Sequence, residues 1–257
     1  MIYYQNELSI IIPFYCDSKD RLENLNMVLD YLNSFMKCQI IVAEQMKGNT
    51  PHFSYNRGYS NVEIFRVQYD YSYFHKTRLI NDAFKARVKN SIFMMHDCDA
   101  IFFPQDIDDM TTCIHNNTFS FTYPYNRMIV FVPRDRINKF KYDNDIYHIK
   151  VNDLTFTLPE TPACGLGFIC NSSLFCKVGK MNENFHLWGE EDWELYYRIQ
   201  KLNYNWGIGN NFAFHIEHFR TKDGTDENCC IIENRFELDK VKNMSKERLV
   251  EYVSTWK

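Results

Sequence analysis

The chain has 257 residues, of which 45% are hydrophobic and 24% charged, a composition that suits one large α/β domain or two small ones. Its formal net charge of −4 argues against a general nucleic-acid binder, which needs a basic face to neutralise phosphates. No run reaches the roughly 18 apolar residues of a membrane span, and the polar residues 1–7 do not read as a signal peptide, so a cytoplasmic protein is expected, with peripheral membrane association left open.

Leu8-Ser9-Ile10-Ile11-Ile12-Pro13 is a short apolar run closed by proline, which reads as a buried strand of a parallel sheet. Leu22, Leu25, Leu29, Leu32 and Phe35/Met36 recur at helical spacing and predict an amphipathic helix over 20–36. Residues 39–43 form a second apolar run. Gly48, Asn49, Pro51 and Gly58 mark a loop over 46–61, and 62–67 reads as a third strand. A helix over 75–88 has Leu79, Ile80, Ala83 and Phe84 on its apolar face, and strand 92–95 runs into His96-Asp97-Cys98-Asp99. This alternation predicts a doubly wound, mostly parallel sheet with right-handed crossovers. Ligands in such sheets bind beyond the carboxyl ends of strands, where both aspartates lie.

Pro104 opens a helix to residue 115, proline being suited to a first helical turn. Residues 119–123 and 128–132 read as strands, and the polar stretch 133–160 resists assignment. Helices are expected over 172–178 and 190–202, an extended segment over 213–219, and a terminal helix over 243–256 capped from 243–245. No repeat or linker interrupts the chain, so one domain is expected. Its residues 1–100 would form a nucleotide-binding half and residues 101–257 an acceptor-binding half. The nine cysteines include no CxxC pair and read as reduced packing residues, adjacent Cys229 and Cys230 included.

Three constellations could carry chemistry. In Asp97-x-Asp99 the two carboxylates point the same way in an extended strand and could share a hard cation such as Mg²⁺ or Mn²⁺; as a bare motif the pair reads equally as two solvated loop acids. In His215-Ile216-Glu217-His218 the imidazoles would share one helix face, but the flanking Phe212, Ala213 and Phe214 suggest a strand, where they diverge. Both reach one metal only if the chain turns there; otherwise they are structural, and Glu217 reads as a solvated carboxylate. In Trp188-Gly189-Glu190-Glu191-Asp192-Trp193, three acids either complement the start of a helix or hold a carboxylate base beside a ring platform for sugar. Phosphate-loop, nucleophile-elbow and dinucleotide fingerprints are absent from the sequence.

Taken together these segments resemble the GT-A glycosyltransferases, and among them the β-1,4-galactosyltransferase family. The family's F-N-R-x-x-L-x-N resembles Phe74-His75-Lys76-Thr77-Arg78-Leu79-Ile80-Asn81, and its D-V-D resembles Asp97-Cys98-Asp99. Its W-G-W-G-G-E-D-D resembles His186-Leu187-Trp188-Gly189-Glu190-Glu191-Asp192-Trp193, and its M-x-x-H resembles His215-Ile216-Glu217-His218. The same features resemble the transferase domains of bacterial chondroitin-type polymerases. The resemblance implies a Rossmann-like single domain, a UDP-sugar donor, a saccharide or glycan acceptor and a Mn²⁺ or Mg²⁺ cofactor. It implies Asp99 and His218 as metal ligands, with His215 where the family often has Met, and Asp97 near ribose or metal. It implies Asp192 as catalytic base, with Glu191 orienting the acceptor and Trp188 touching sugar. Pro13, Phe14 and Tyr15 would border the nucleotide, and Lys76 and Arg78 would contact the donor. The chain departs from the family in replacing Asn-Arg by His75-Lys76 and paired glycines by Cys164-Gly165; the family's stem and membrane anchor are not expected. Two other classes fit parts of the pattern: a nucleotidyltransferase, and a non-catalytic GT-A-like carbohydrate-binding protein.

Overall fold

The computed structural model describes residues 3–54, 58–70, 73–157 and 162–256. Positions 55–57 of the expected loop and 158–160 of the unassigned stretch lie outside them. The apolar runs become strands and the periodic segments between them helices. The first half contains β1 (Tyr3–Phe14), α1 (Lys19–Phe35), β2 (Met36–Gln45), β3 (Val62–Val67), α2 (Lys76–Arg87), β4 (Ile92–His96), β5 (Ala100–Ile101) and α3 (Pro104–His115). There follow β6 (Phe121–Tyr123), β7 (Ile129–Val132), α4 (Asn138–Asp143), β8 (Thr155–Phe156), β9 (Gly167–Asn171) and α5 (Ser172–Lys177). The last elements are α6 (Glu191–Lys201), β10 (Trp206–Ile208), β11 (Ala213–Ile216), α7 (Ile231–Asn243) and α8 (Lys246–Ser254).

Local signals explain several boundaries. Ser18 caps α1 by accepting the Arg21 N–H at 3.2 Å, and Pro104 opens α3 without needing an N–H partner. Asn171 caps α5 through Ser173 and Leu174. The terminal helix expected over 243–256 is α8. Ser245 caps α8, and α7, unread in the sequence, precedes it. Its buried residues are Ile231, Asn234, Leu238 and Val241, and an asparagine inside the stripe blurs the apolar period. The described part of the polar stretch, 133–157, folds into α4, β8 and single 3₁₀ turns at Arg134–Arg136 and Ile146–His148.

One α/β domain results. Its seven-stranded sheet runs β10-β6-β9-β4-β1-β2-β3; among the described residues β9 is antiparallel to both neighbours and the other pairings are parallel. Helix α2 packs against β1 and β2, and α3 against β1, β6 and β9. A second sheet, β5-β11-β7-β8, meets the first where β4 ends. Its register sets His215 opposite Ala100, next to Asp99. Cys38, Cys98, Cys164 and Cys170 are buried as expected, whereas Cys176 and Cys229 are exposed and pack no core. No helix among the described residues is long and apolar enough to cross a membrane.

Candidate active site

A cavity of about 440 Å³ opens at the carboxyl ends of β1 and β4, where parallel-sheet geometry leaves room for a ligand. Asp97 and Asp99 enter it from the turn after β4, Lys76 from the first turn of α2, and Glu191 and Asp192 from the first turn of α6. His215 and His218 close one side.

The two histidines meet because the chain turns after β11, as a shared ligand would require. Ligand atoms of Asp99, His215 and His218 all lie within 4.8 Å of one another. His218 Nε2 is 3.1 Å from Asp99 Oδ2, and His215 Nε2 is 3.9 Å from Oδ1. His218 donates its Nδ1–H to the Phe219 carbonyl at 2.8 Å, which leaves the Nε2 lone pair facing the carboxylate. The Arg21 guanidinium stands against both groups, Nη1 3.1 Å from Asp99 Oδ2 and Nη2 3.5 Å from His218 Nε2. A carboxylate with two imidazoles is a donor set suited to Mn²⁺ and related divalent ions. Burial would raise the Asp99 carboxyl, but His215, His218 and Arg21 outweigh it and hold it well below the usual range. Burial is also the main reason the His215 imidazole is lowered, keeping it in the neutral form that ligates. Glu217 is exposed and accepts the Arg134 N–H, as the solvated reading expects.

Opposite the histidines, Lys76 bridges three acids. Its Nζ is 3.1 Å from Asp97 Oδ1, 3.3 Å from Glu191 Oε1 and 3.8 Å from Asp192 Oδ2. Burial alone would lower the ammonium, but Asp192, Asp97 and Glu191 outweigh it and hold it protonated. Asp192 is pushed well above the ordinary carboxyl range, first by burial and then by Glu191 and Asp97, with Lys76 opposing. Its Oδ1 is buried with no hydrogen-bond partner among the described residues. A Cβ on Gly165 would stand 3.1 Å from Asp192 Oδ2, so this glycine lets the main chain approach the carboxylate.

Pro13, Tyr15 and Trp188 line the cavity. The Tyr15 ring stacks on Phe74 at 5.6 Å and 11°, and Trp188 keeps 45% of its surface exposed. Two expected donor contacts lie elsewhere. Phe14 alternates to the other face of β1, where it is fully buried edge-on to Phe53. Arg78 is two residues beyond Lys76 on α2, a rotation of roughly 200°, and its guanidinium sits 4.7 Å over the Tyr69 ring. Arg21 was not read from the sequence. It donates to Asp99 Oδ2 at 3.1 Å and to Asp17 Oδ1 at 3.0 Å. Its one signal was a cation in the first turn of the helix that follows β1. Arg220, which meets His215 Nε2 at 3.1 Å, had no signal beyond proximity to the histidines.

Comparison with known proteins gives two kinds of match. A family model described as the N-terminal domain of galactosyltransferase matches residues 145–227, which include the Glu191–Asp192 turn and both histidines. Among solved structures, the catalytic domain of Drosophila β-1,4-galactosyltransferase 7 in complex with xylobiose superposes with a TM-score of 0.52 at 15% identity, over 95% of this chain and 84% of that one. A point mutant of the same Drosophila enzyme, solved with manganese, UDP-Gal and xylobiose, gives a TM-score of 0.49 at 15% identity over 90% and 79% of the two chains. No curated protein sequence matches the chain significantly. The chain has the GT-A fold of galactosyltransferase catalytic domains.

Proposed function

We propose that this protein is a metal-dependent, inverting glycosyltransferase that moves a hexose or N-acetylhexosamine from a UDP-sugar to a hydroxyl of a saccharide acceptor. The observation that carries the reading is one cavity holding a carboxylate–bis-imidazole donor set on one wall and a buried carboxylate with an unpartnered oxygen on the other. Asp99, His215 and His218 would hold the cation. Bound there, Mn²⁺ or Mg²⁺ supplies positive charge against the diphosphate leaving group. The stacked pair Tyr15 and Phe74, with Pro13, gives the nucleotide base a flat apolar wall. The exposed face of Trp188 offers a platform for sugar.

Asp192 is the acceptor base in this reading. It takes the proton of the acceptor hydroxyl as that oxygen bonds to the anomeric carbon, while the bond from that carbon to the diphosphate oxygen breaks. Attack from the face opposite the leaving group inverts the anomeric configuration. Lys76 ties Glu191 and Asp192 to Asp97, so the acceptor and donor sides share one cation. The first 100 residues supply the nucleotide wall and Asp99; the remainder supplies the acceptor wall and both histidines.

Chelation tests the reading. Excess EDTA should abolish transfer and added Mn²⁺ restore it. Asp99→Ala should lose activity and bind Mn²⁺ more weakly while unfolding at a normal temperature. Full turnover in excess EDTA would refute metal dependence.

A further inference from the structure

Arg127 is 6% exposed and lies outside the cavity, and a cation is costly to bury unless its surroundings hold it. Its Nε donates to the Ala163 carbonyl at 2.8 Å, and its Nη2 reaches Cys164 Sγ at 3.0 Å and the Pro162 carbonyl at 3.5 Å. The Arg127 carbonyl in turn accepts the Ala163 N–H at 2.8 Å. One residue therefore pins the strip 162–164 through both main chain and side chain.

The guanidinium faces do a second job. Its carbon lies 4.3 Å from the Tyr196 ring centroid and 5.5 Å from that of Trp193, distances of cation–π attraction. Both rings belong to α6, one and four residues after Asp192. The pinned strip runs into Gly165, whose carbonyl accepts the Tyr125 hydroxyl at 2.5 Å and whose main chain approaches the Asp192 carboxylate. The floor under Asp192 and the helix that carries it are thus attached to the same planar cation. Arginine suits this place because its rigid fork donates in plane while its faces stay free for rings; a lysine ammonium does neither.

We propose that Arg127 is a positioning residue for Asp192, fixing the carboxylate by joining the 162–165 strip to the first turn of α6. The proposal rests on the reading of Asp192 as acceptor base. A double-mutant cycle on the whole chain tests it, with Arg127→Met, Asp192→Asn and the double variant. Transfer is followed as acceptor-dependent UDP release from UDP-hexoses and UDP-N-acetylhexosamines offered with neutral mono- and disaccharides. Arg127→Met should lower kcat by about 10- to 100-fold, the scale of a misplaced reacting group. It should leave affinity for UDP with Mn²⁺ nearly unchanged and have little further effect in the Asp192→Asn background. Arg127→Lys keeps the charge and stem but not the fork; it should show the same kcat loss, and it carries the test if the methionine variant does not fold. Hydrogen exchange, which needs no turnover, should rise together in 162–165 and the first turn of α6. Equal loss of kcat in both backgrounds, weakened UDP binding that accounts for the loss, or unchanged exchange in both segments would overturn the assignment of Arg127. Normal turnover by Asp192→Asn alone would instead overturn the base, and the assignment of Arg127 with it.

Discussion

Asp192 gathers the sharpest expectations at the level of single residues. Burial, Glu191 and Asp97 all raise its carboxyl, and Lys76 only partly opposes them. A raised carboxyl is a stronger base, provided the working pH leaves it ionised. Acceptor transfer should therefore rise with pH through its titration and flatten above it. Asp192→Asn keeps size and hydrogen bonding but cannot take a proton, so kcat should fall about 10²–10⁴-fold with UDP binding intact. The same shift sets a sign for stability. The folded state holds the Asp192 proton to higher pH than the unfolded chain does, so this group favours folding least above its folded titration point. Asp192→Asn should therefore leave stability unchanged below the unfolded carboxyl value, about 4, and raise it increasingly as pH climbs to the folded value. Thermal melts across pH read this directly; a melting point lowered at neutral pH would mean that the acid serves the helix dipole instead. The run of three acids before a helix was legible in the sequence. Its partner was not, because Lys76 lies 115 positions from Glu191 and only the fold brings them together. Phe14 and Arg78 stand off the cavity for a simpler reason: neighbouring residues on a strand, or two apart on a helix, face different ways.

Among the elements, the loop before α6 depends on a helix that the sequence concealed. Leu187, Gly189 and Glu190 all adopt positive φ, of 58°, 114° and 75°. Such a run of left-handed residues persists only where its surroundings hold it. Asn234 of α7, fully buried, does much of this: it accepts the His186 N–H at 3.2 Å and donates to the carbonyls of His186 and Gly189 at 2.9 and 3.1 Å. Asn228 adds a bond to the Trp188 carbonyl at 3.0 Å. Gly189→Ala should cost about 1–3 kcal/mol, since φ is unfavourable for alanine and its Cβ would fall 2.8 Å from Ile231 Cδ1. It should raise the acceptor KM while leaving affinity for UDP with Mn²⁺ unchanged; equal damage to both would show that the loop does not belong to the acceptor side. The early strands were readable as short apolar runs and the early helices from their helical period. The element β9 was not, since this five-residue strand is short, begins on a glycine and is buried on both faces. Nor was α7, whose buried face is organised around the asparagine that grips the loop.

Over the whole molecule, the cavity exists because the second sheet docks at the carboxyl end of β4. The antiparallel pairing of β11 with β5 sets His215 opposite Ala100, and the Ile216 N–H bonds the Asp99 carbonyl at 2.8 Å. The chain then turns and brings His218 back to the same carboxylate. The sequence showed all three candidate ligands but left open whether the histidines could converge, because spacing alone cannot reveal a turn at the end of a strand. A panel of UDP-sugars incubated with Mn²⁺, with and without saccharide acceptors, tests the proposed activity most directly when the released phosphates and the product linkage are both determined. A metal-dependent inverting transferase should release UDP only with the metal, faster with a suitable acceptor, and invert the transferred anomeric carbon. Release of pyrophosphate, or transfer with retained configuration, would contradict the proposed activity.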